Sequence, residues 1–143
     1  MKRNLYLVAE SDIDAAFIQE VLDLSNYEVR TVGVNGRNTI ASYVRVVRHM
    51  MSNTARMIVV FDADTSDPDK VQQMIDNMRH ASQTQYISDK VGIYAFYPDL
   101  EHYFRMPQLR KNKDTYIQYA REHKAELCKQ EVIQDIQSFL NKK

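Results

Sequence analysis

Carboxylate side chains follow three apolar runs of this 143-residue chain, and their positions suggest shared chemistry. Glu10 ends the first run, Asp62 and Asp64 end a later one, and Glu101 comes shortly after the run at 91–96. If these runs are parallel strands, their carboxyl ends meet at one edge of a sheet, where sites are commonly built. Clustered carboxylates repel one another unless they take up protons or a cation neutralises them. An all-oxygen set without His or Cys suits a hard ion, so we expect Mg²⁺ or Mn²⁺.

Phosphodiester cleavage is the reaction that such a site would support. A metal ion neutralises charge on the scissile phosphate and activates a water, and a nearby carboxylate can move the proton. Asp-x-Asp alone is a weak motif, because two acids at this spacing are also found as solvated loop acids and helix caps. The run from Asp64 to Pro68 predicts a turn just past the strand, at the edge where the ion would bind. Asp12 and Asp67 precede predicted helices, and we interpret them as helix-start acids.

The elements that must position these acids alternate along the chain. Short apolar or β-branched runs predict four strands, at 4–9, 27–34, 56–61 and 91–96. Apolar residues at helical spacing predict helices over 12–24, over 38–52, after Asp67-Pro68, and as one long or two short helices over 114–140. This order predicts an α/β fold, with about four mostly parallel strands and helices on both faces. We expect the C-terminal helix to pack on its own sheet, because both faces need cover.

Composition limits the classes of protein that fit. The length suits a single domain over 1–143, with an α/β core at 4–104 and a helical segment at 112–141. The 19 basic and 19 acidic side chains balance, which excludes a polybasic coat or an acidic tail. The single cysteine, Cys128, excludes an internal disulfide and a cysteine-rich zinc site. No run of about 18 apolar residues occurs and the N-terminal run is too short for a signal peptide, so we expect a cytoplasmic protein without membrane contact.

The chain resembles a Toprim domain, the metal-binding α/β module of topoisomerases, DnaG-type primases and OLD-family nucleases. The family pattern is a strand ending in Glu, an Asp four residues on and an aromatic three later, matched here by Glu10, Asp14 and Phe17. A later strand ends in Asp-x-Asp, matched by Asp62 and Asp64. Ser11 stands where the family usually has Gly, which puts the tightness of that turn in question. The stretch 98–104 also resembles the Pro-x-x-Glu-x-aromatic segment of small, defence-associated Toprim-like proteins of the OLD and RloB type.

The resemblance spans 4–104 and implies a Toprim-like Rossmannoid fold. It implies a Mg²⁺-dependent nuclease acting on DNA or RNA, in a defence or mobile-element context. Asp62 and Asp64 would hold the ion, and Glu10 would act as acid/base or as a further ligand. Glu101 would complete a second metal position or share the catalytic role, and Asp14 is an accessory candidate.

Basic residues near the predicted site are candidates for binding phosphates. The stretch from His102 to Lys113 contains no acid, and its four basic residues follow Glu101 closely: Arg105, Arg110, Lys111 and Lys113. Lys/Arg contacts to phosphates are what a nucleic-acid ligand requires. A second acid-free stretch, between Glu28 and Asp62, carries five arginines, which we interpret as an ordinary solvated face.

Two other functions compete with the nuclease. A non-catalytic Toprim-like module could dock on a partner protein or nucleic acid and keep its acids as remnants. A receiver-like phosphoacceptor could use Asp62, but it would need a Lys at the end of a fifth strand, which the sequence does not predict. The sequence predicts no particular oligomeric state.

Overall fold

Four parallel strands form one sheet in the computed structural model, which describes residues 2–142. The strand order is β2-β1-β3-β4, and the strands are β1 (Arg3–Ala9), β2 (Tyr27–Gly33), β3 (Arg56–Asp62) and β4 (Val91–Phe96). The helices are α1 (Asp12–Val21), α2 (Arg37–Val47), α3 (Pro68–Ala81), α4 (Leu100–Tyr103), α5 (Lys113–Leu127) and α6 (Glu131–Leu140). Short 3₁₀ turns lie at Arg48–Met50 and Gln85–Ile87. The predicted α/β class with a parallel sheet is confirmed, and the fold is Rossmann-like.

Helices cover both faces of the sheet, as the alternation of the sequence predicts. On one face α1, α5 and α6 pack over Ile58 and Val60 of β3. On the other, α2 and α3 pack over Met57 and Val59 of the same strand. Because both sides are covered, every residue of β3 before Asp62 is buried.

The C-terminal region forms two helices that belong to this core. α5 ends at Leu127, the backbone is extended at Gln130 (φ −64°, ψ 144°), and α6 begins at Glu131. Ile133 and Ile136 of α6 are fully buried in the core of the first face, so the helix packs on its own sheet as expected. None of the helices within residues 2–142 combines the length and apolarity needed to cross a bilayer.

The strand order brings the carboxyl ends of β1 and β3 together in the middle of the sheet. The chain moves outward from β1 to β2, then returns to the other side of β1 to form β3 and β4. The direction of winding therefore reverses between β1 and β3, and the carboxyl ends of these two strands flank the switch point of the sheet. Glu10 directly follows β1, and Asp62 is the last residue of β3.

Candidate functional site

Hydrogen bonds join the three strand ends that carry the predicted acids. Glu10 Oε1 accepts a hydrogen bond from the backbone N–H of Asp62 at 3.2 Å. Asp62 Oδ1 accepts one from the N–H of Leu100, just after β4, at 2.9 Å. The acids at the ends of β1 and β3 are therefore held side by side, and the segment after β4 is tied to them.

Burial and mutual repulsion make Asp62 a weak acid. Burial raises the pKa of Asp62 to about 7, and repulsion from Asp14 adds to this effect. The hydrogen bond from Leu100 opposes the rise of this pKa, whereas Glu10 and Glu101 add smaller repulsions. At neutral pH this carboxyl group therefore favours a proton or a cation.

Asp14 belongs to the same cluster. Its backbone N–H is held by the side chain of Ser11, the N-cap of α1, at 3.1 Å. Burial raises the pKa of Asp14 to about 6, and repulsion from Glu101 and Glu10 contributes, opposed by Lys111 and by the Ser11 hydrogen bond. Asp14, given by the sequence only as an accessory candidate, is thus one of the acids that the structure brings together.

Glu10 interacts with both members of the Asp-x-Asp pair. Burial raises its pKa, opposed first by the hydrogen bond from Asp62 N–H and then by the positive charge of Arg37. Repulsion from Asp64 adds to the rise of the Glu10 pKa. Glu10 is accordingly coupled to Asp62 by a hydrogen bond and to Asp64 by charge repulsion.

The carboxylate of Asp64 lies at the surface, with a partner different from that of Asp62. The chain turns here as predicted, with Asp64 in the left-handed conformation (φ 59°) and its N–H donating to Pro98 O at 2.7 Å. The Asp64 carboxylate is 70% exposed and lies 3.3 Å from Arg37 Nη1. The same guanidinium nitrogen donates to Asp62 O at 2.9 Å. The two carboxylates of the motif therefore have different partners.

Arg37 is the site residue that sequence reasoning missed. The sequence interprets it as one arginine of a solvated face, and its side chain is indeed 41% exposed, but its guanidinium also contacts Asp62 O and Asp64. Arg45 and Arg48 of the same group do lie elsewhere, bonding Ala81 O and Gln83 at the end of α3. The available signal was the position of Arg37 at the start of α2, because a helix that follows β2 starts at the carboxyl edge of the sheet.

Glu101 has a cationic partner of its own. Lys111 Nζ lies 2.7 Å from Glu101 Oε1, and the hydroxyl of Tyr116 donates to the same oxygen at 3.2 Å. The hydrogen bond to Glu101 raises the pKa of Lys111 above its usual range. Of the four basic residues predicted to bind phosphates, Lys111 is the one that contacts the acids. The other three, Arg105, Arg110 and Lys113, are exposed.

The remaining candidates have local structural roles. Asp67 caps α3, accepting from Asp69 N–H at 3.0 Å, as predicted. Asp12 lies in the first turn of α1, as predicted for a helix-start acid, directly after the N-cap Ser11, and its Oδ1 accepts from Gly33 N–H at 3.1 Å. His102 is exposed and its Nδ1 lies 2.9 Å from Asp99 Oδ1.

A hard divalent cation fits this donor set in its chemistry. Glu10, Asp14 and Asp62 supply carboxylate oxygens on or beside central strands, and each has a raised pKa that a bound cation would lower. As the side chains lie, no three His, Cys, Asp or Glu groups of residues 2–142 are placed to hold one ion together.

The fold and the site together define an α/β Rossmann-like protein with acids at its switch point. Comparison with protein-family models, curated proteins and solved structures gave no match. The interpretation of the site therefore depends on its own chemistry.

Proposed function

We propose that the protein is a Toprim-type enzyme that cleaves phosphodiester bonds of DNA or RNA with Mg²⁺ or Mn²⁺. The observation that carries this proposal is the pairing of Glu10 with Asp62 at the switch point, where burial and repulsion raise the pKa of both carboxyl groups. A cluster of carboxyl groups that is costly to ionise is most simply explained by a cation that binds there and neutralises the charge. The proposal includes the defence or mobile-element setting that the resemblance implies.

The roles proposed for the acids are those that the Toprim resemblance implies. Asp62, Asp64 and Glu10 would hold the cation, with Asp14 as an accessory acid. When bound, the cation would neutralise charge on the scissile phosphate and activate a water. Glu10 or Glu101 would accept the proton released at the attacking oxygen.

The basic loop after α4 would orient the nucleic acid. Lys111 forms an ion pair with Glu101. When substrate binds, its ammonium group would contact a phosphate oxygen instead. The exposed side chains of Arg105, Arg110 and Lys113 would add backbone contacts that do not depend on sequence.

A metal titration followed by thermal unfolding tests the proposal. Mn²⁺ and Mg²⁺ should raise the Tm of the wild type in a saturable way, since a ligand at 100 times its Kd stabilises by about 2.7 kcal/mol. The Asp62→Asn/Asp64→Asn variant should lose this response, whereas the exposed-acid control Asp76→Asn/Asp89→Asn should keep it. Plasmid and RNA cleavage should follow the same pattern and stop in excess chelator. Cleavage that continues in chelator, or an unresponsive wild type, would contradict the proposal.

A non-catalytic binding module is the second candidate, and a specific observation favours it. Glu101 and Asp64 already have cationic partners within the chain, Lys111 and Arg37. If these ion pairs are the permanent arrangement of a site that no longer binds metal, we expect neither a metal-dependent rise in Tm nor cleavage. The titration above therefore separates the two functions.

A further inference from the structure

A groove lies at the open edge of the sheet, outside the acidic site. β4 is the last strand and pairs with β3 alone. Beyond it, α3 from one face and α6 from the other enclose a cavity of about 250 Å³. This volume is just below the range of about 300–1,000 Å³ that is usual for pockets of drug-sized ligands. It therefore suits one side chain better than a cofactor.

The walls of the groove are apolar and aromatic. Val71 and Ile75 of α3 and Val132 of α6 line it, together with the rings of Tyr94 and Tyr97. Tyr97 is 38% exposed, although its ring packs edge-on against Tyr103 with centroids 5.3 Å apart. An exposed ring held in this way can pack against a ligand at little cost in side-chain entropy.

Two carboxylates give the groove a negative charge. Glu131 and Asp135 lie four residues apart, on one side of α6, and both line the cavity. Its lining contains no Lys or Arg, and within residues 2–142 no ion pair engages either acid. The charge of Asp135 also contributes, after burial, to raising the pKa of Tyr94 to about 12. Acids next to aromatic rings complement a cation on an apolar stem and repel phosphates.

The backbone of β4 supplies hydrogen-bonding groups to the same groove. Lys90 O accepts a hydrogen bond from Met57 of β3, and Phe96 O accepts one from Ala63, just after β3. The alternate residues Ile93 and Ala95, which are both buried, therefore direct their N–H and C=O groups to the unpaired edge. Val91 O, on this outer side, is already bonded to Arg79 at 3.1 Å. In the part of the chain that the structure describes, the outward groups of Ile93 and Ala95 have no hydrogen-bond partner, and Ala95 lines the cavity. An extended peptide could pair with them as an added strand.

We propose that this groove binds an extended segment of a partner protein and receives an arginine side chain of that segment. The guanidinium group would lie between Glu131 and Asp135 and against the ring of Tyr97, while the peptide backbone pairs with Ala95. The two acids of the groove are not members of the acidic site. The proposal is therefore independent of metal binding and of nuclease activity.

A matched pair of peptides tests the proposal directly. The probes are a blocked pentapeptide, acetyl-Val-Thr-Arg-Val-Thr-amide, and the same peptide with citrulline, which keeps the shape of arginine without its charge. ¹⁵N-labelled full-length protein is titrated in chelator and followed by amide NMR. We expect saturable shifts confined to 68–75, 91–97 and 131–135, with the citrulline peptide binding about tenfold more weakly.

Charge variants provide the second readout. Glu131→Gln/Asp135→Asn should abolish the preference for arginine while retaining the dispersed spectrum of a folded protein. The control Glu122→Gln/Glu126→Gln alters two exposed acids at the same spacing on α5 and should leave the preference intact. If that control abolishes the preference as well, general charge explains it and the proposal fails.

Five further results would overturn the proposal. Equal binding of the two peptides, no binding of either, or shifts outside the groove would each do so. So would a single-stranded oligonucleotide that binds the groove more tightly than the peptide, or a dimer that closes over β4. Because chelator is present throughout, failure of this proposal leaves the metal titration to decide the nuclease separately.

Discussion

At the scale of single residues, the acidic site is governed by the cost of ionising Asp62. Its carboxylate accepts the N–H of Leu100, which favours the charged form, yet burial and the charge of Asp14 outweigh that bond. Asp14 experiences the same balance with Glu101 as its main repulsive neighbour. The folded state thus holds protons on these two groups at a pH where the unfolded chain has released them.

This difference predicts how stability depends on pH without divalent cations. The pKa of Asp62 is about 7 in the folded protein, whereas an unfolded Asp titrates near about 3.9. Between these values the folded state binds more protons, so stability falls as pH rises from about 4 to about 7. Asp62→Asn should therefore raise the Tm at pH 8 by a few degrees, since about 1 kcal/mol shifts Tm by roughly 4 °C in a small domain. The difference should shrink at pH 5.

Thermal unfolding in chelator across this pH range measures both proteins. Asn keeps a side-chain oxygen that can accept the Leu100 N–H, so the variant tests the charge alone. An equal Tm difference at pH 5 and pH 8 would show that the Asp62 carboxyl group does not titrate as described.

Replacing Lys111 should strengthen metal binding while changing the stability of the metal-free protein only slightly. Without metal, Lys111→Met should cost no more than about 1 kcal/mol, because the side chain is 66% exposed and such ion pairs are weak. With Mn²⁺ the same variant should gain more in Tm than the wild type, since a competing cation has been removed beside Glu101 and Asp14. Lys113→Met, an exposed neighbour, is the control. A smaller Mn²⁺ gain for Lys111→Met than for that control would contradict competition at this site.

Sequence reasoning reached the acids of the site but not their cationic partners. Glu10 and Asp62 could be placed because each ends an apolar run, and strand ends meet at a sheet edge. Arg37 and the pairing of Lys111 with Glu101 could not, because they depend on how α2 and the loop before α5 pack. Spacing along the chain does not encode these contacts.

At the scale of elements, two glycines show how closely the strands fit their surroundings. A Cβ at Gly33, at the end of β2, would lie 2.2 Å from the backbone nitrogen of Asp12 in α1. A Cβ at Gly92, in β4, would lie 2.8 Å from the ring of Tyr94. The first neighbour is fixed backbone, whereas the second is a side chain that can move.

This contrast predicts two different costs of substitution. Gly33→Ala should destabilise strongly, because α1 or β2 must shift, and the change should be well above about 1–3 kcal/mol, the usual cost of overpacking. Gly92→Ala should cost about 1–3 kcal/mol, and Tyr94→Leu in the same chain should recover most of it. Urea denaturation of the single and double variants measures both. If Gly92→Ala lowers the free energy of unfolding as much in the Tyr94→Leu variant as in the wild type, the strain does not come from the Tyr94 ring.

Apolar periodicity predicted every strand and the long helices, because each buries one face or both. It did not predict α4, since four residues are too few to show a period. Nor did it decide between one helix and two after position 112. That break, at Gln130, depends on α6 having to lie against β4 while α5 lies against α1. The choice is made by packing, and local propensity leaves it open.

At the scale of the whole molecule, strand order is the feature that creates the site. The sequence predicts parallel strands, and these place all carboxyl ends at one edge. It does not say that β1 and β3 are neighbours. That adjacency arises because α1 packs on one face of the sheet and α2 on the other, so that right-handed crossovers carry the chain first to one side of β1 and then to the other. Without it, Glu10 and Asp62 would not meet.

One shared sheet also predicts one unfolding transition. α6 is far from the N-terminus in sequence, yet Ile136 is fully buried in the same core as Phe17 of α1 and Ile58 of β3. Ile136→Ala should therefore destabilise the whole chain by about 2–5 kcal/mol. Ser138→Ala, an exposed position on the same helix, should change stability by less than about 0.5 kcal/mol.

Urea denaturation followed by two signals measures whether the chain unfolds as one unit. The far-UV circular dichroism and the near-UV signal of the tyrosines should shift together in Ile136→Ala, because a single cooperative unit unfolds at once. Separate midpoints for the two signals would instead show that the segment 112–141 unfolds independently of the sheet.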